Sequence, residues 1–441
     1  MRSIILPMHG LGGGGDLPIP ASLAIAAGTA ALTLSFVVLL LAWRAPRFGH
    51  GRGERAVPAA LARIVDSTGW SLMLRVLGLA FFCFMLWPAL VGPDSLINPI
   101  FGVVYVWLWV GLVPASLLFG RFYRAMSPVR TLYLMLARAT GQPPSQGLRE
   151  YPAWLGYWPA AVGLFAFVWL ELVSPDATYL GPLRLWMALY VAVMVVGSAV
   201  YGDRWLERAD PFEVYSTLLA HLSPWGRDEG GRMVWVSPLR HLSRIPAEGG
   251  LVAVVAVLLG STAYDSWRDT ATWIRFLQGS SISPTIWGTL GLLAAIAIVG
   301  VTFAAASMAT GVERVHRWQV PRRLAHSVVP IIVGYMVAHY FSFFVQTGQL
   351  TLIQLSDPMG VGSNLFGTAD WEVSYWLAQH PTFLATTKVL AIVTGHVLGV
   401  IAAHDRALEI LPKRHQVTGQ LPLLLAMVLY TFMGLYLLFG A

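Results

Sequence analysis

Apolar residues occur in ten long runs along the chain, separated by shorter segments that carry most of the charged residues. Each run has about 20 residues, the length that an α-helix needs to cross ~30 Å of hydrocarbon. A transmembrane β-barrel would instead show short segments of alternating apolar and polar residues. The pattern therefore predicts an all-α transmembrane bundle of about ten spans. The runs cover residues 19–43, 70–91, 99–120, 158–175, 183–202, 250–267, 285–308, 325–347, 382–403 and 420–440.

Composition and charge agree with this prediction and add an orientation. Of the 441 residues, 56% are hydrophobic and only 12% are charged, whereas a soluble domain has about 25% charged residues. With the N-terminus outside, the inner segments, together with Arg75 at the inner end of the second span, contain 24 of the 29 Lys and Arg residues, as the positive-inside rule requires. The net charge of +7 then reflects orientation, and we expect no nucleic-acid partner. We predict a multi-pass protein of the inner (plasma) membrane with both termini outside.

The first half of the chain contains an internal repeat. The motif W-x-x-L-V-[GS]-P-D occurs at residues 87–94 and again at residues 169–176. Each copy closes the first of two predicted spans, and each pair of spans is followed by a Pro-initiated segment. We predict two parallel repeat units, 70–141 and 157–223, with two spans and a short interfacial helix in each.

The interfacial helices are predicted from their N-terminal residues. Ser127 and Asp210 are suitable N-caps, each is followed by Pro, and Glu213 adds a capping box to the second helix. The second helix has apolar residues at helical spacing. Its apolar face would contact either lipid or the inner rim of the bundle, and the sequence favours neither. These residues are Phe212, Tyr215, Leu218, Leu219 and Leu222.

Ionisable residues inside the predicted spans are the main indication of a functional site, because their burial in a bilayer costs several kcal/mol unless they are paired or hydrated. All lie at middle or outer depth, so we expect them to line one cavity open to the outside. Most belong to the C-terminal part, residues 250–441, of a single membrane domain, residues 1–441. The five residues are Glu171, Asp265, His339, Lys388 and His396.

Each of these groups also has a structural interpretation. An isolated intramembrane histidine is more often hydrogen-bonded to a neighbouring helix than used as a ligand. Glu171 and Lys388 would suit an ion pair between helices. At the inner end of the ninth span, the segment 404–406 (His-Asp-Arg) is expected to be a solvated helix end or a salt-bridged anchor.

Two histidines with carboxylates nearby suit general acid–base catalysis or a transition-metal site. No H-x-x-x-H or H-E-x-x-H motif fixes the geometry of such a site, and the Gly-rich segment 10–15 follows no strand, so it does not predict dinucleotide binding. The candidate catalytic residues are His339, His396, Lys388 and Glu171. The candidate ligands for a divalent transition metal are His339, His396 and Asp265, with His9 and Asp16 from the N-terminal segment.

The chain resembles a family of bacterial integral membrane proteins that are commonly labelled fenitrothion hydrolase. The resemblance extends from the N-terminus to the tenth span, and the segments that carry it are 9–20, 167–173 (FVWLELV), 260–265 (GSTAYD), 338–342 (AHYFS) and 394–408. It implies hydrolysis of a phosphorothioate triester, with release of a nitrophenol and a dialkyl thiophosphate. Such a reaction requires an activated nucleophile and charge stabilisation at phosphorus. His339 or His396 as base or metal ligand, with Lys388 as electrophile, would supply them.

Two other functions fit the same residues. The first is a transporter or channel for a cation or a metal, with an outward-facing polar cavity that contains Lys388. The second is an assembly subunit that binds a metal, or binds haem with His339 and His396 as axial ligands. The expected small-molecule partner is accordingly an apolar ester or a cation, and the sequence specifies no protein partner.

Overall fold

The computed structural model describes residues 14–48, 54–310 and 316–439. The protein is 72% helical, with almost no strand, and each of the ten apolar runs forms a helix within the described residues. These helices are α1 (Ala21–Ala42), α2 (Thr68–Val91), α3 (Pro99–Leu108 and Leu112–Phe119, bent by 47°), α4 (Trp158–Leu172), α5 (Leu180–Tyr201), α6 (Leu251–Arg268), α7 (Pro284–Met308), α8 (Val329–Gln354), α9 (Pro381–Ile410) and α10 (Leu421–Phe439).

Seven of these helices are long and apolar enough to cross a membrane, or eight if the bent α3 is one span. α4 has 15 residues and is short for a span. α6 has 18 residues but contains Asp265 and Arg268, which lower its mean hydropathy. The prediction of an all-α, multi-pass membrane protein is therefore confirmed for the described residues.

α8 lies at the centre of the bundle and packs against α3, α6 and α9. It approaches α9 closely because two glycines face each other. A Cβ atom on Gly334 would lie 2.4 Å from the carbonyl oxygen of Ala391, and one on Gly395 would lie 2.5 Å from that of Pro330. Side chains at either glycine would separate the two helices. α7, by contrast, exposes a row of aliphatic side chains suited to contact with lipid: Ile286, Leu290, Ile298 and Val301.

The C-terminal end of α9 differs from the prediction. The helix continues to Ile410, so His404 and Asp405 lie inside it and are buried. The Asp405 carboxylate accepts hydrogen bonds from the backbone N–H groups of Arg47 (2.6 Å) and Phe48 (3.1 Å). His404 is hydrogen-bonded to the carbonyl oxygen of Trp43. The expectation of a solvated helix end is wrong, because these side chains hold the segment that follows α1.

The two predicted repeat units have the same order of elements. After α3 and after α5 the chain turns at Gly120 (φ 76°) and Gly202 (φ 69°), a conformation that favours glycine. A short helix follows each turn, and then a capped one. The predicted N-caps are confirmed, since the Ser127 and Asp210 side chains accept hydrogen bonds from backbone N–H groups of the next turn. The helices after α3 are Phe122–Met126 and Pro128–Ala139, and those after α5 are Asp203–Ala209 and Pro211–Ala220.

The helix Pro211–Ala220 packs inside the protein. Phe212 and Tyr215 are fully buried, so its apolar face contacts the rim of the bundle rather than lipid. The capping box predicted for Glu213 is wrong. Its carboxylate instead forms a bidentate ion pair with Arg130 of the other repeat unit, at 2.8 Å from Nε and 2.6 Å from Nη2.

Short elements complete the loops. The strands β1 (Arg55–Ala56), β2 (Trp225–Arg227) and β3 (Met233–Trp235) form an antiparallel sheet of order β1-β3-β2, in which Trp235 pairs with both Arg55 and Trp225. The remaining short α-helices are Ala59–Val65, Pro238–Leu242, Ala271–Gly279, Val320–Leu324 and Trp376–Gln379. The 3-10 turns are Gly14–Asp16, Arg317–Gln319, Ala325–Val328, Lys413–His415 and Thr418–Gln420.

Candidate functional site

Asp265 is the centre of a buried polar cluster between α6 and α8. It lies near the C-terminal end of α6 and its side chain is fully buried. Its Oδ2 atom is 2.9 Å from Nε2 of His339 and 2.8 Å from the hydroxyl of Tyr340, which donates to it. His339 and Tyr340 are neighbours on α8, so two adjacent side chains of one helix hold one carboxylate oxygen of another.

A serine extends this cluster on the other side of the imidazole. The hydroxyl of Ser266 is 3.1 Å from Nδ1 of His339. Because Nε2 faces the carboxylate, the neutral ring carries its proton on Nε2 and donates it to Asp265. Nδ1 is then an acceptor for the serine hydroxyl. Ser266, His339 and Asp265 thus form a hydrogen-bonded chain of hydroxyl, imidazole and carboxylate, which is the arrangement that activates a hydroxyl as a nucleophile.

Charged groups of α4 and α6 surround the carboxylate. Nε of Arg268 lies 3.1 Å from Oδ1 of Asp265, and the Arg268 guanidinium also donates to the carbonyl oxygen of Leu172 at the end of α4. Glu171, one residue earlier, is buried, and Asp265 and Arg268 are the charged groups that act on it. Oδ1 of Asp269 lies 3.8 Å from the same Nε atom of Arg268, but this side chain is more exposed. The cluster therefore contains two buried carboxylates, one exposed carboxylate and one guanidinium.

Lys388 is not part of this cluster. It is buried on α9, and Asp16 is the carboxylate whose charge acts on it. Asp16 ends the 3-10 turn Gly14–Asp16, which packs against α9 and α10. Glu171 and Lys388 therefore do not form the ion pair considered from the sequence, although both are buried.

His396 lies apart from both the Asp265 cluster and Lys388. Its Nδ1 is 2.9 Å from the carbonyl oxygen of Ile392 on its own helix, and its ring lines an apolar cavity between α6 and α10. No hydrogen bond or ion pair joins it to Asp265 or to His339 within the described residues. The structure thus joins Asp265, His339 and Glu171 in one cluster, and it places Lys388 and His396 elsewhere.

The candidate metal ligands do not converge. Within residues 14–48, 54–310 and 316–439, no group of three or more His, Cys, Asp or Glu side chains is arranged to hold a metal ion. Both ring nitrogens of His339 are engaged, with Ser266 and with Asp265, so metal or haem ligation by this ring would break one of those bonds. His9 lies outside the described residues.

Three members of the cluster were not predicted from the sequence: Ser266, Arg268 and Tyr340. Hydroxyl side chains are common in membrane helices, so Ser266 and Tyr340 do not stand out in the sequence as intramembrane acids, lysines and histidines do. Arg268 was assigned to an outer loop because the sixth span was expected to end at residue 267. Their positions in the sequence could have indicated them. Ser266 and Arg268 follow Asp265 by one and three residues on one helix, and Tyr340 directly follows His339.

A polar cavity of about 570 Å³ lies among the loops after α3 and α5, apart from the Asp265 cluster. It contains a pair of histidines, His221 and His241, whose ring centroids are 4.7 Å apart. Burial, together with the His241 charge, lowers the pKa of His221 to about 3, and burial lowers that of His241 to about 4. Both rings are therefore neutral at pH 7. Arginines surround them: Arg121, Arg124, Arg204, Arg208, Arg227 and Arg244.

This histidine pair predicts acid sensitivity. In the unfolded chain each histidine has a pKa of about 6.5, so the unfolded state gains a proton between pH 6.5 and pH 4 that the folded state does not. The free energy of unfolding therefore has its full value above pH 6.5. It decreases at lower pH, by about 2 kcal/mol per histidine at pH 5. Thermal unfolding in detergent at pH 7.5 and pH 5 measures this loss.

We expect His221→Gln to lose less stability than the wild type between these two pH values, because glutamine has no proton to gain. The exposed His380 provides the control, and His380→Gln should lose as much as the wild type. Equal losses in His221→Gln and the wild type would contradict the assignment.

Comparison of the chain with protein families, with curated proteins and with solved structures finds no match.

Proposed function

We propose that the protein is a membrane-embedded hydrolase of phosphorothioate triesters, with Ser266 as nucleophile, His339 as general base and Asp265 as the carboxylate that orients the base. One observation carries this proposal: the continuous hydrogen-bonded chain from the Ser266 hydroxyl through the imidazole to the buried carboxylate. The resemblance to proteins labelled fenitrothion hydrolase supports the substrate class. A lipid-soluble aryl ester would reach such a site from the bilayer.

In the first step, the Ser266 oxygen attacks phosphorus and its proton moves to Nδ1 of His339. A bond forms between the serine oxygen and phosphorus, and the bond from phosphorus to the aryl oxygen breaks. The imidazolium then gives its proton to the departing nitrophenolate. In the second step, His339 takes a proton from water as the water oxygen attacks phosphorus. The bond from phosphorus to the serine oxygen breaks, and the imidazolium returns the proton to that oxygen. The products are a nitrophenol and a dialkyl thiophosphate.

Asp265, Tyr340 and Arg268 have positioning roles in this proposal. The negative Asp265 carboxylate fixes the tautomer of His339 and stabilises the imidazolium that forms during the reaction. The Tyr340 hydroxyl and the Arg268 guanidinium hold the carboxylate in place. Glu171, Lys388 and His396, which the sequence also proposed as catalytic, take no part in this proton transfer.

The activity is tested with purified protein in detergent or nanodiscs, by following nitrophenol absorbance after addition of fenitrothion. We expect catalytic turnover, with one dialkyl thiophosphate formed for each nitrophenol released. Absence of turnover in protein that remains folded, at substrate concentrations up to saturation, would reject the proposed substrate class.

Cation transport is the second candidate, and the buried charges on both sides of the bundle favour it. Glu171, Asp265 and Arg268 lie together near the ends of α4 and α6, and Lys388 lies in α9. Ionisable groups between membrane helices commonly mark ion pathways. Proteoliposomes loaded with a pH-sensitive dye would report proton or cation flux. Flux that is present in the wild type and lost in both Glu171→Gln and Lys388→Met would favour transport over hydrolysis.

We also propose ten spans with both termini outside. At 1.5 Å per residue, α4 is ~22 Å long and α6 ~27 Å, and local bilayer thinning or a neighbouring short helix accommodates such lengths. The charge asymmetry supports this orientation. A phosphatase fused after α10 should be active and a fluorescent protein at the same place dark, whereas the reverse result would reject the orientation.

A further inference from the structure

An apolar cavity of about 370 Å³ lies between α6, α7, α8, α9 and α10. Aromatic side chains form much of its lining, among them Tyr264, Trp267, Trp273 and Tyr335. Small residues of α7 complete one wall. The volume lies in the range of 300–1,000 Å³ that is typical of small-molecule sites, and such sites combine an apolar lining with a few well-placed polar groups.

His396 is one of those polar groups, and one of its ring nitrogens has no partner. Nδ1 is hydrogen-bonded to the Ile392 carbonyl oxygen, and since a carbonyl only accepts, Nδ1 carries the proton. Nε2 is therefore an acceptor. It is buried and makes no hydrogen bond, and the side chain is only 1% exposed. A buried acceptor left without a donor costs more free energy than a typical hydrogen bond contributes.

A second polar group lines the same cavity. The hydroxyl of Tyr335 on α8 is buried and faces Ser266, with which it makes only a hydrogen bond of poor geometry. Two other hydroxyls in the lining are paired with each other, because Tyr430 donates to the carbonyl oxygen of Val299 at 2.9 Å and lies 2.6 Å from the hydroxyl of Thr302. The cavity thus offers one unused acceptor, Nε2 of His396, within a mostly apolar lining.

The cavity opens toward the lipid-facing surface. Several of its lining residues are among the exposed large hydrophobic side chains of α7 and α10, namely Ile298, Leu429 and Met433. Exposed aliphatic residues of membrane helices face acyl chains, so a ligand can enter from the bilayer without crossing water.

We propose that this cavity binds a membrane-soluble aromatic molecule with a hydroxyl group, that is, a hydrophobic phenol. The aromatic lining fits the ring, and the O–H donates to Nε2 of His396. The cavity borders the Ser266–His339–Asp265 chain at Tyr335, but its occupancy does not depend on the protein being a hydrolase.

The test compares two ligands of similar size and apolar surface, 2-naphthol and 2-methoxynaphthalene, which differ in the hydroxyl donor. Binding to protein in nanodiscs is measured by quenching of tryptophan fluorescence, with empty nanodiscs used to subtract partition into lipid. We expect both ligands to bind saturably. 2-Naphthol should bind about fivefold to tenfold more tightly, which is the affinity difference expected from one additional hydrogen bond.

In His396→Phe the preference for 2-naphthol should fall to about one. The control His380→Phe replaces an exposed histidine at the start of α9 and should keep the wild-type preference. Ala263→Phe fills the cavity and should weaken the binding of both ligands at least tenfold. This variant tests whether the ligand binds in the cavity even if His396→Phe does not fold. A wild type that binds the two ligands equally, or an unchanged preference in folded His396→Phe, would overturn the proposal, as would unchanged binding in Ala263→Phe.

Discussion

Glu213→Ala is expected to destabilise the protein by about 3–5 kcal/mol, because it leaves the Arg130 guanidinium buried without its counter-ion. Arg130 is 3% exposed and Glu213 1% exposed, and they form two hydrogen bonds with each other. The pair joins the two repeat units at their capped helices, so its loss affects the packing of both. Unfolding in mixed detergent micelles, followed by circular dichroism, measures the effect.

Two further variants test whether the large effect comes from the burial of the Arg130–Glu213 pair. Glu207→Ala removes a more exposed carboxylate that contacts Arg124, and it should cost no more than about 1 kcal/mol. Replacement of both buried partners in Arg130→Met/Glu213→Gln removes the uncompensated charge and should recover most of the stability. A loss below 1 kcal/mol in Glu213→Ala, or a double variant as unstable as the single one, would contradict this account.

Ser266→Ala and His339→Gln are expected to reduce the rate of triester hydrolysis by about 10³-fold or more, since each removes one member of a group that acts as a unit. Tyr340→Phe leaves the His339–Asp265 bond in place and removes one donor to the carboxylate, so we expect a reduction of about tenfold. The measurement is the initial rate of nitrophenol release at saturating substrate.

The matched control for this prediction is Ser261→Ala. Ser261 is buried on α6 like Ser266, but its hydroxyl bonds only to the Leu258 carbonyl oxygen one turn earlier. Its rate should equal that of the wild type. Rates within twofold of the wild type in both Ser266→Ala and His339→Gln would remove these two residues from the mechanism.

The sequence was sufficient for the helices but less so for their ends. Each apolar run forms a helix, because runs of about 20 apolar residues have few alternatives in a bilayer. The end of α9 was placed at residue 403 because His404 and Asp405 are polar. In the structure the helix continues, since these side chains find buried partners on the segment that follows α1. Hydropathy contains no information about such partners.

The candidate site was predicted in part. Asp265, His339 and Glu171 were expected to lie close together from their similar depth, and they do. Lys388 and His396 were grouped with them because depth alone does not specify which side of a helix faces which neighbour. The close packing of Gly334 against Gly395 orients α9 relative to α8. The direction in which His396 points depends on this packing of α9 against α8. A single sequence does not reveal how two helices pack.

The most direct test of the central claim is to identify the atom that attacks phosphorus. The purified protein is incubated briefly with paraoxon, whose slowly hydrolysed diethylphosphoryl group remains on a nucleophilic serine, and its peptides are analysed by mass spectrometry. We predict modification of Ser266, no modification in Ser266→Ala, and much slower modification in His339→Gln. Modification of another residue, or none at Ser266 in a protein that releases nitrophenol, would contradict the account.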